Sequence, residues 1–348
     1  MSITVVIPTL GRPSLYALLS AIDGGRERAR PSALSQVVVV DDRRERARPL
    51  AVPEWVTVLA GPGRGPAAAR NVGWRAAGTE WVAFLDDDVL PEPGWLDRLA
   101  EDLASAPPEV GGVQGQVRVP LPADRRPTDW EAVTAGLATG RWITADMAYR
   151  RAALACAGGF DERLPRAFRE DAELAFRVRR AGWSLSRGAR RVTHPVRPEG
   201  PWVSLRTQRG NADDALLRRL YGRHWRVDLE APPGRRHRHA AIVLAGASAM
   251  VCGCSAVIGG RRGWVRAAAL AAAVWGAGTT EFAAARILPG PRDRREVGVM
   301  LATSVAIPPL AVAHWLRGWW QWRNARPIPI VEAGHIEPSA PESVGAAR

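Results

Sequence analysis

The 348-residue chain contains no lysine: all 48 of its basic residues are arginine, against 35 acidic ones, for a formal net charge of +13. The missing lysine is read as compositional bias rather than chemistry. The arginine excess still matters, because guanidinium matches phosphate bidentately and suits phosphorylated substrates, anionic lipid or nucleic acid. Nucleic acid is set aside, since the arginines are dispersed and no aromatic-basic recognition motif accompanies them. Cysteine is scarce. Cys156, Cys252 and Cys254 are the full set, and no pair has zinc-site spacing with histidine. A disulfide framework is therefore not expected, which fits a reducing compartment. No basic region precedes the first apolar run, "ITVVIP", so no signal peptide is expected. No internal repeat is present.

What is there is a sizeable core: 47% of the residues are hydrophobic, and the length predicts one large domain plus an appendage. Up to about residue 235, strands and helices alternate. "ITVVIP" (3–8), "QVVVVDD" (36–42), "WVTVLA" (55–60) and "EWVAFLDDD" (80–88) read as buried strands. "SLYALLSAI" (14–22), the segment entered through "GPGRGPAAARNVGWRAA" (61–77), and the run marked by Trp95, Leu96, Leu99 and Leu103 read as helices. Continuous apolar strands alternating with helices predict an α/β fold with a mainly parallel sheet covered on both faces. Ligands of such sheets bind beyond the carboxyl ends of the strands, where Asp41–Asp42 and Asp86–Asp88 fall.

Beyond residue 235 the composition changes. "AAIVLAGASAMVCGCSAVIGG" (240–260) is uncharged and long enough to span a bilayer. The segment 267–288 is weaker, with Glu281 and Arg286 inside it. The segment 297–316 is uncharged, but Pro308–Pro309 predicts a break or kink. Trp315, Trp319, Trp320 and Trp322 alternate with arginine like an interfacial anchor. Residues 202–226 mix Leu with Arg, as expected of a helix on the bilayer surface or one packed against the preceding domain. The boundaries expected are a catalytic domain over 1–226, a basic linker over 227–239, membrane-associated helices over 240–322 and a disordered tail over 323–348.

Four constellations bear chemistry. Asp86, Asp87 and Asp88 at a strand end suit a hard divalent cation, Mg²⁺ or Mn²⁺, or else form the acidic start of the helix after "PEPGWL". "GPGRGPAAARN" is either a glycine-rich anion site at a helix start, with Arg70 one turn in, or an ordinary loop. In "FREDAELAFRVRRAGW" (168–183), Asp171 shares a helical face with Leu174, Val178 and Ala181. A carboxylate there is a cap or a positioned base. His194, in "RVTHPVRP", is either structural or a metal ligand.

These motifs stand in an order that resembles family 2 glycosyltransferases, from residue 3 to about residue 200. "VVIPTLGRPSL" resembles their opening nucleotide-binding strand and loop, "VVVVDD" their base-contacting strand, "RGPAAARNVGW" their Arg-Asn helix and "VAFLDDDVLPEPGWL" their DxD strand. "TADMAYRRAALACAGGFDERLPRAFREDAELAFRVRRAGW" resembles the segment with the GGFDE turn and the Glu-Asp motif. The resemblance implies a GT-A nucleotide-diphospho-sugar transferase fold and a metal-dependent, inverting sugar transfer. It implies Asp171 as catalytic base beside Glu170, and donor contacts from Pro8, Thr9, Arg12, Asp42, Arg70, Asp86 and Asp87. Mg²⁺ or Mn²⁺ would be held by Asp88, Asp86 and His194, with Asp87 turned away. The partners implied are a nucleotide-diphosphate sugar, a glycan or lipid-linked acceptor and the cell membrane, with the catalytic domain on the cytoplasmic side and a role in envelope synthesis. Arg43 and Arg44 stand where Gly-Ser is usual, and Asp146 stands where Asn is common, which predicts altered acceptor contacts. The competing readings are an inactive membrane scaffold and a sugar-phosphate nucleotidyltransferase. The second usually needs a phosphate-binding lysine, which this chain lacks.

Overall fold

A computed structural model of the chain describes residues 1–26 and 34–332, so most of the expected tail lies outside the described residues. Two compact units emerge: residues 1–117, 141–193 and the segment from 328 form one, and residues 118–140 and 194–327 form the other. In chain order the elements begin with β1 (Ile3–Thr9), α1 (Ser14–Arg26), β2 (Leu34–Asp41), β3 (Val56–Ala60), α2 (Pro66–Ala76) and β4 (Trp81–Leu85). They continue with β5 (Leu90–Pro91), α3 (Trp95–Ala104), β6 (Val110–Arg118), α4 (Asp129–Ala135), β7 (Asp146–Arg150), α5 (Arg151–Ala157), α6 (Glu170–Arg180) and β8 (Ser184–Thr193). Helices α7 (Val203–Arg206), α8 (Asn211–Tyr221), α9 (Trp225–Asp228), α10 (Arg236–Gly259), α11 (Arg262–Ile287) and α12 (Arg294–Gln321) complete the chain.

The first unit holds an eight-stranded sheet in the order β3-β2-β1-β4-β7-β6-β8-β5. Strands β3, β2, β1 and β4 run parallel. Beyond β4 the pairing turns antiparallel, β7 against β4 and β6, and β5 against β8, so the α/β sheet is mixed. Val6, Val38, Val40, Val82 and Phe84 bury one face against Ala67, Ala69 and Trp74 of α2. Gly73 makes that approach possible: a Cβ there would lie 2.3 Å from Val6 Cγ1. The parallel strands release Thr9, Asp41 and Leu85 at the same sheet edge, which is where such a fold binds ligands.

Strand β4 ends at Leu85, three residues earlier than expected, and Asp86–Asp88 form a turn closed by Val89 N donating to the Asp86 carbonyl at 3.3 Å. A turn lets three like charges point apart, which a strand or a helix start would not. It also removes the helix-start reading, because β5 separates the aspartates from α3, whose first-turn acid is Asp97.

In the second unit, α8, whose Ala215, Leu216 and Leu217 are fully buried, packs on α12. The Arg219 guanidinium sits 3.3 Å from the Trp319 ring centroid, and a Cβ on Gly318 would come within 2.6 Å of Ala212. Helix α8 is thus partnered by α12 within its own unit. Two helices among the described residues are long and apolar enough to cross a membrane: α10, with mean hydropathy 2.2, and α12, with 1.6. At 1.5 Å per residue, α10 spans roughly 36 Å, enough for a hydrocarbon core of about 30 Å. Pro308 and Pro309 lie inside α12 without ending it. Arg286 of α11 is neutralised by Asp129 at 2.8 Å and donates to Thr303 and Ser304 of α12, which accounts for a charge in the weaker segment.

Candidate active site

The site is built at the carboxyl ends of β1, β2 and β4 and at the start of α6. Arg70, on the second turn of α2, is 1% exposed and donates to Asp86 at 2.6 Å and to Glu170 at 2.8 Å. Burial opposes its charge, but the two acids hold its pKa above the ordinary arginine value. Burial pushes Glu170 up to about 8 despite that partner. Burial thus favours the neutral form of Glu170, whose Oε1 accepts from Arg70. Its Oε2 has no hydrogen-bond partner among the described residues.

Asp171 follows Glu170 and lies at the edge of the stripe formed by Leu174, Val178 and Ala181, which are fully buried while Asp171 is half-buried. Its Oδ1 accepts from Ala172 N at 2.7 Å. Desolvation raises its pKa, against the lowering effect of that backbone bond and of Arg70 and Arg169. Arg169 caps α6 at φ 73°, a left-handed conformation that costs a non-glycine residue about 1–3 kcal/mol and tends to persist at functional positions. No glycine or asparagine in the sequence signalled it.

Asp87 turns toward β1. It accepts from Thr9 Oγ1 at 2.7 Å and from Arg12 at 3.1 Å, and Thr9 Oγ1 in turn accepts from Gly11 N at 2.9 Å. Pro8 is buried in β1 opposite Val40, beyond the last residue of the β1·β4 register, Val6, where its missing N–H interrupts no pairing with β4. Asp42 accepts from Gly63 N at 2.7 Å and Gly65 N at 2.8 Å, so both its oxygens shape the glycine-rich loop. Gly65, at φ 102°, could not be replaced freely: a Cβ would lie 2.0 Å from the Pro165 carbonyl oxygen. Arg43, the unusual residue after "VVVVDD", clamps Asp41 at 2.7 Å. Asn71 is fully engaged with Phe160, Glu162 and Trp74, a packing role that the motif alone did not reveal.

Asp146, expected to alter acceptor contacts, is instead fully buried. It accepts from Trp95 Nε1 at 2.8 Å and from Arg190 Nε at 2.7 Å, and Arg190 also binds Asp102 at 3.1 Å. The acid and Arg190 form an internal pair, far apart in sequence and not legible from it.

Asp88 is buried at the strand end. His194 directly continues β8 from Thr193, which pairs with Leu90 two residues past Asp88. His194 Nδ1 is 3.1 Å from the Pro195 carbonyl. A carbonyl only accepts, so the tautomer protonated at Nδ1 satisfies that contact and leaves the lone pair on Nε2. The carboxylates of Asp86 and Asp88, hard oxygen donors on one turn, fit a divalent cation, and an imidazole is compatible with the same ion.

Parts of this chain are similar to known proteins. Residues 4–144 match the family model described as "Glycosyl transferase family 2". The pre-mycofactocin glycosyltransferase of Mycobacterium tuberculosis is 33% identical over 135 residues, covering 35% of this chain and 28% of that relative. The match thus spans under a third of the relative's length. Among solved structures, Staphylococcus aureus TarS 1–349 is similar at 16% identity and TM-score 0.43, covering 93% of this chain and 91% of that one. The M. tuberculosis glucosyl-3-phosphoglycerate synthase, solved with Mn²⁺, UDP-glucose and phosphoglyceric acid, is similar at 15% identity and TM-score 0.43, covering 67% and 81%. The segment over residues 4–144, with its parallel strands, its Asp86–Asp88 turn and its buried Arg70, is a glycosyl transferase family 2 domain.

Proposed function

We propose that this chain is a glycosyltransferase that moves a sugar from a nucleoside-diphosphate donor to a hydroxyl acceptor, with inversion at the anomeric carbon. The observation that supports this best is the Arg70 bridge. It joins the aspartate turn after β4 to Glu170 at the start of α6, and so sets Asp171 beside the strand ends. In this reading Asp171 takes the proton of the acceptor hydroxyl as its oxygen attacks the anomeric carbon, and the carbon–oxygen bond to the nucleoside diphosphate breaks. The raised pKa of Asp171 brings it closer to the hydroxyl it must deprotonate. Glu170 fixes the other side of Arg70, and Arg70 holds Asp86 and contributes positive charge at the strand end. Thr9, Arg12 and Asp87 form a linked set at the end of β1 that orients the donor, and Asp42 acts through the loop Gly63–Gly65, whose amides it aligns. Pro8 precedes Thr9 beyond the β1·β4 register and keeps its place opposite Val40 of β2.

Asp86, Asp88 and His194 would hold Mg²⁺ or Mn²⁺, which when bound offsets charge on the departing diphosphate. Helices α10 and α12 would tether the domain to the cell membrane with the catalytic unit facing the cytoplasm. Tethering raises its effective concentration against a glycan or lipid-linked acceptor, as in envelope synthesis. The test is a donor screen on purified protein in detergent, reading released nucleoside diphosphate with and without Mn²⁺. Release from at least one nucleotide sugar, dependent on the cation and on Asp171, is expected. No release from any donor would contradict the reading.

A further inference from the structure

The second unit contains a cavity of about 550 Å³ lined by Arg218, Arg223, Arg226 and Arg236 against two carboxylates, Asp214 and Glu230. Asp214 is engaged by Arg226. Arg218 and Arg236 are half-buried; burial first, and then the like charge of Arg218, oppose the charge on Arg236, while Asp214 favours it. Neither forms a carboxylate ion pair among the described residues. Two guanidiniums withdrawn from water onto one cavity wall repel each other, and an anion between them removes that cost. The geometry suits phosphate, which a pair of guanidiniums can grip at several oxygens.

The position of the cavity says where the phosphate comes from. Arg236 is the first residue of α10, and its guanidinium stacks 4.6 Å from the ring of Trp315, near the end of α12. The cavity therefore sits where one candidate span begins and the other ends, the level at which arginine and tryptophan meet lipid headgroups. Trp315 and the buried Trp225 supply apolar wall beside the charges.

We propose that this cavity binds the phosphate headgroup of an anionic membrane lipid, with Arg218 and Arg236 as its principal contacts. The site is independent of the sugar-transfer chemistry, and it rests on reading α10 and α12 as membrane spans. The test uses the full chain in an uncharged detergent and measures thermal unfolding with short-chain phosphatidic acid, short-chain phosphatidylcholine or inorganic phosphate at equal ionic strength. Phosphatidic acid should raise the midpoint by roughly 2–4 °C at saturating excess, and phosphatidylcholine should not. Arg218→Gln and Arg236→Gln should each lose most of that shift, while Arg218→Lys and Arg236→Lys, which keep the charge, should retain part of it. Three results overturn the proposal: an equal shift with phosphatidylcholine, a shift unchanged in the double glutamine variant, or a full shift with inorganic phosphate alone. Extraction of the chain from cell membranes by carbonate would overturn the lipid source separately, without touching the sugar-transfer reading.

Discussion

Arg70 and Glu170 stand a hundred positions apart and meet at 2.8 Å in the interior, with Arg70 reaching on to Asp86 at 2.6 Å. This contact joins two motifs that the sequence shows only as separate runs. Replacing Arg70 with Met leaves Asp86 and Glu170 without their shared donor. Removing one partner of a buried pair costs roughly 3–5 kcal/mol, and denaturant unfolding should show a loss of that order together with loss of transfer. Arg70→Lys keeps the charge but not the two-armed reach, and should recover stability in part and activity little.

Glu170 makes stability depend on pH. Its folded value, about 8, lies above its ordinary 4.5. The stability it contributes is complete below about 4.5 and is lost as pH rises through about 8. Glu170→Gln, permanently neutral, should flatten the unfolding midpoint across that window. A wild-type decline left unchanged in the variant would show that another group titrates there.

Gly65 is predicted to tolerate no side chain. Its φ of 102° and the 2.0 Å approach to the Pro165 carbonyl mean that Gly65→Ala must both strain and displace the loop. A loss of roughly 1–3 kcal/mol is expected, with weaker donor binding because the amides held by Asp42 shift. Calorimetric unfolding and donor titration of the same variant measure both effects.

Asp146→Asn separates a structural from an acceptor role. Buried against Arg190 and Trp95, the acid should cost stability when neutralised, toward the low end of about 3–5 kcal/mol because Arg190 keeps Asp102. The acceptor KM of the folded variant should stay unchanged; a large KM change with intact stability would restore the acceptor role.

The parallel strands, α2, α6 and the placement of aspartates at strand ends were legible in the sequence because each is a local pattern. "ITVVIP" and "QVVVVDD" are continuous β-branched runs, and Leu174, Val178 and Ala181 repeat at helical spacing. What was not legible depends on distant partners. That β4 stops at Leu85 follows from the three aspartates diverging to Arg70, to Thr9 and Arg12, and into the interior. That Asp42 serves loop amides, that Asp146 is answered by Arg190, and that α8 packs on α12 are all long-range facts. The left-handed Arg169 had no compositional sign at all.

The central claim is that Asp171 is the base. Asp171→Asn preserves shape and removes proton acceptance, so single-turnover transfer should fall by about 10²–10⁴ while donor affinity, measured by titration calorimetry, stays within about twofold of wild type. Retained donor binding with lost transfer is the predicted result. Transfer near the wild-type rate in this variant would contradict the account.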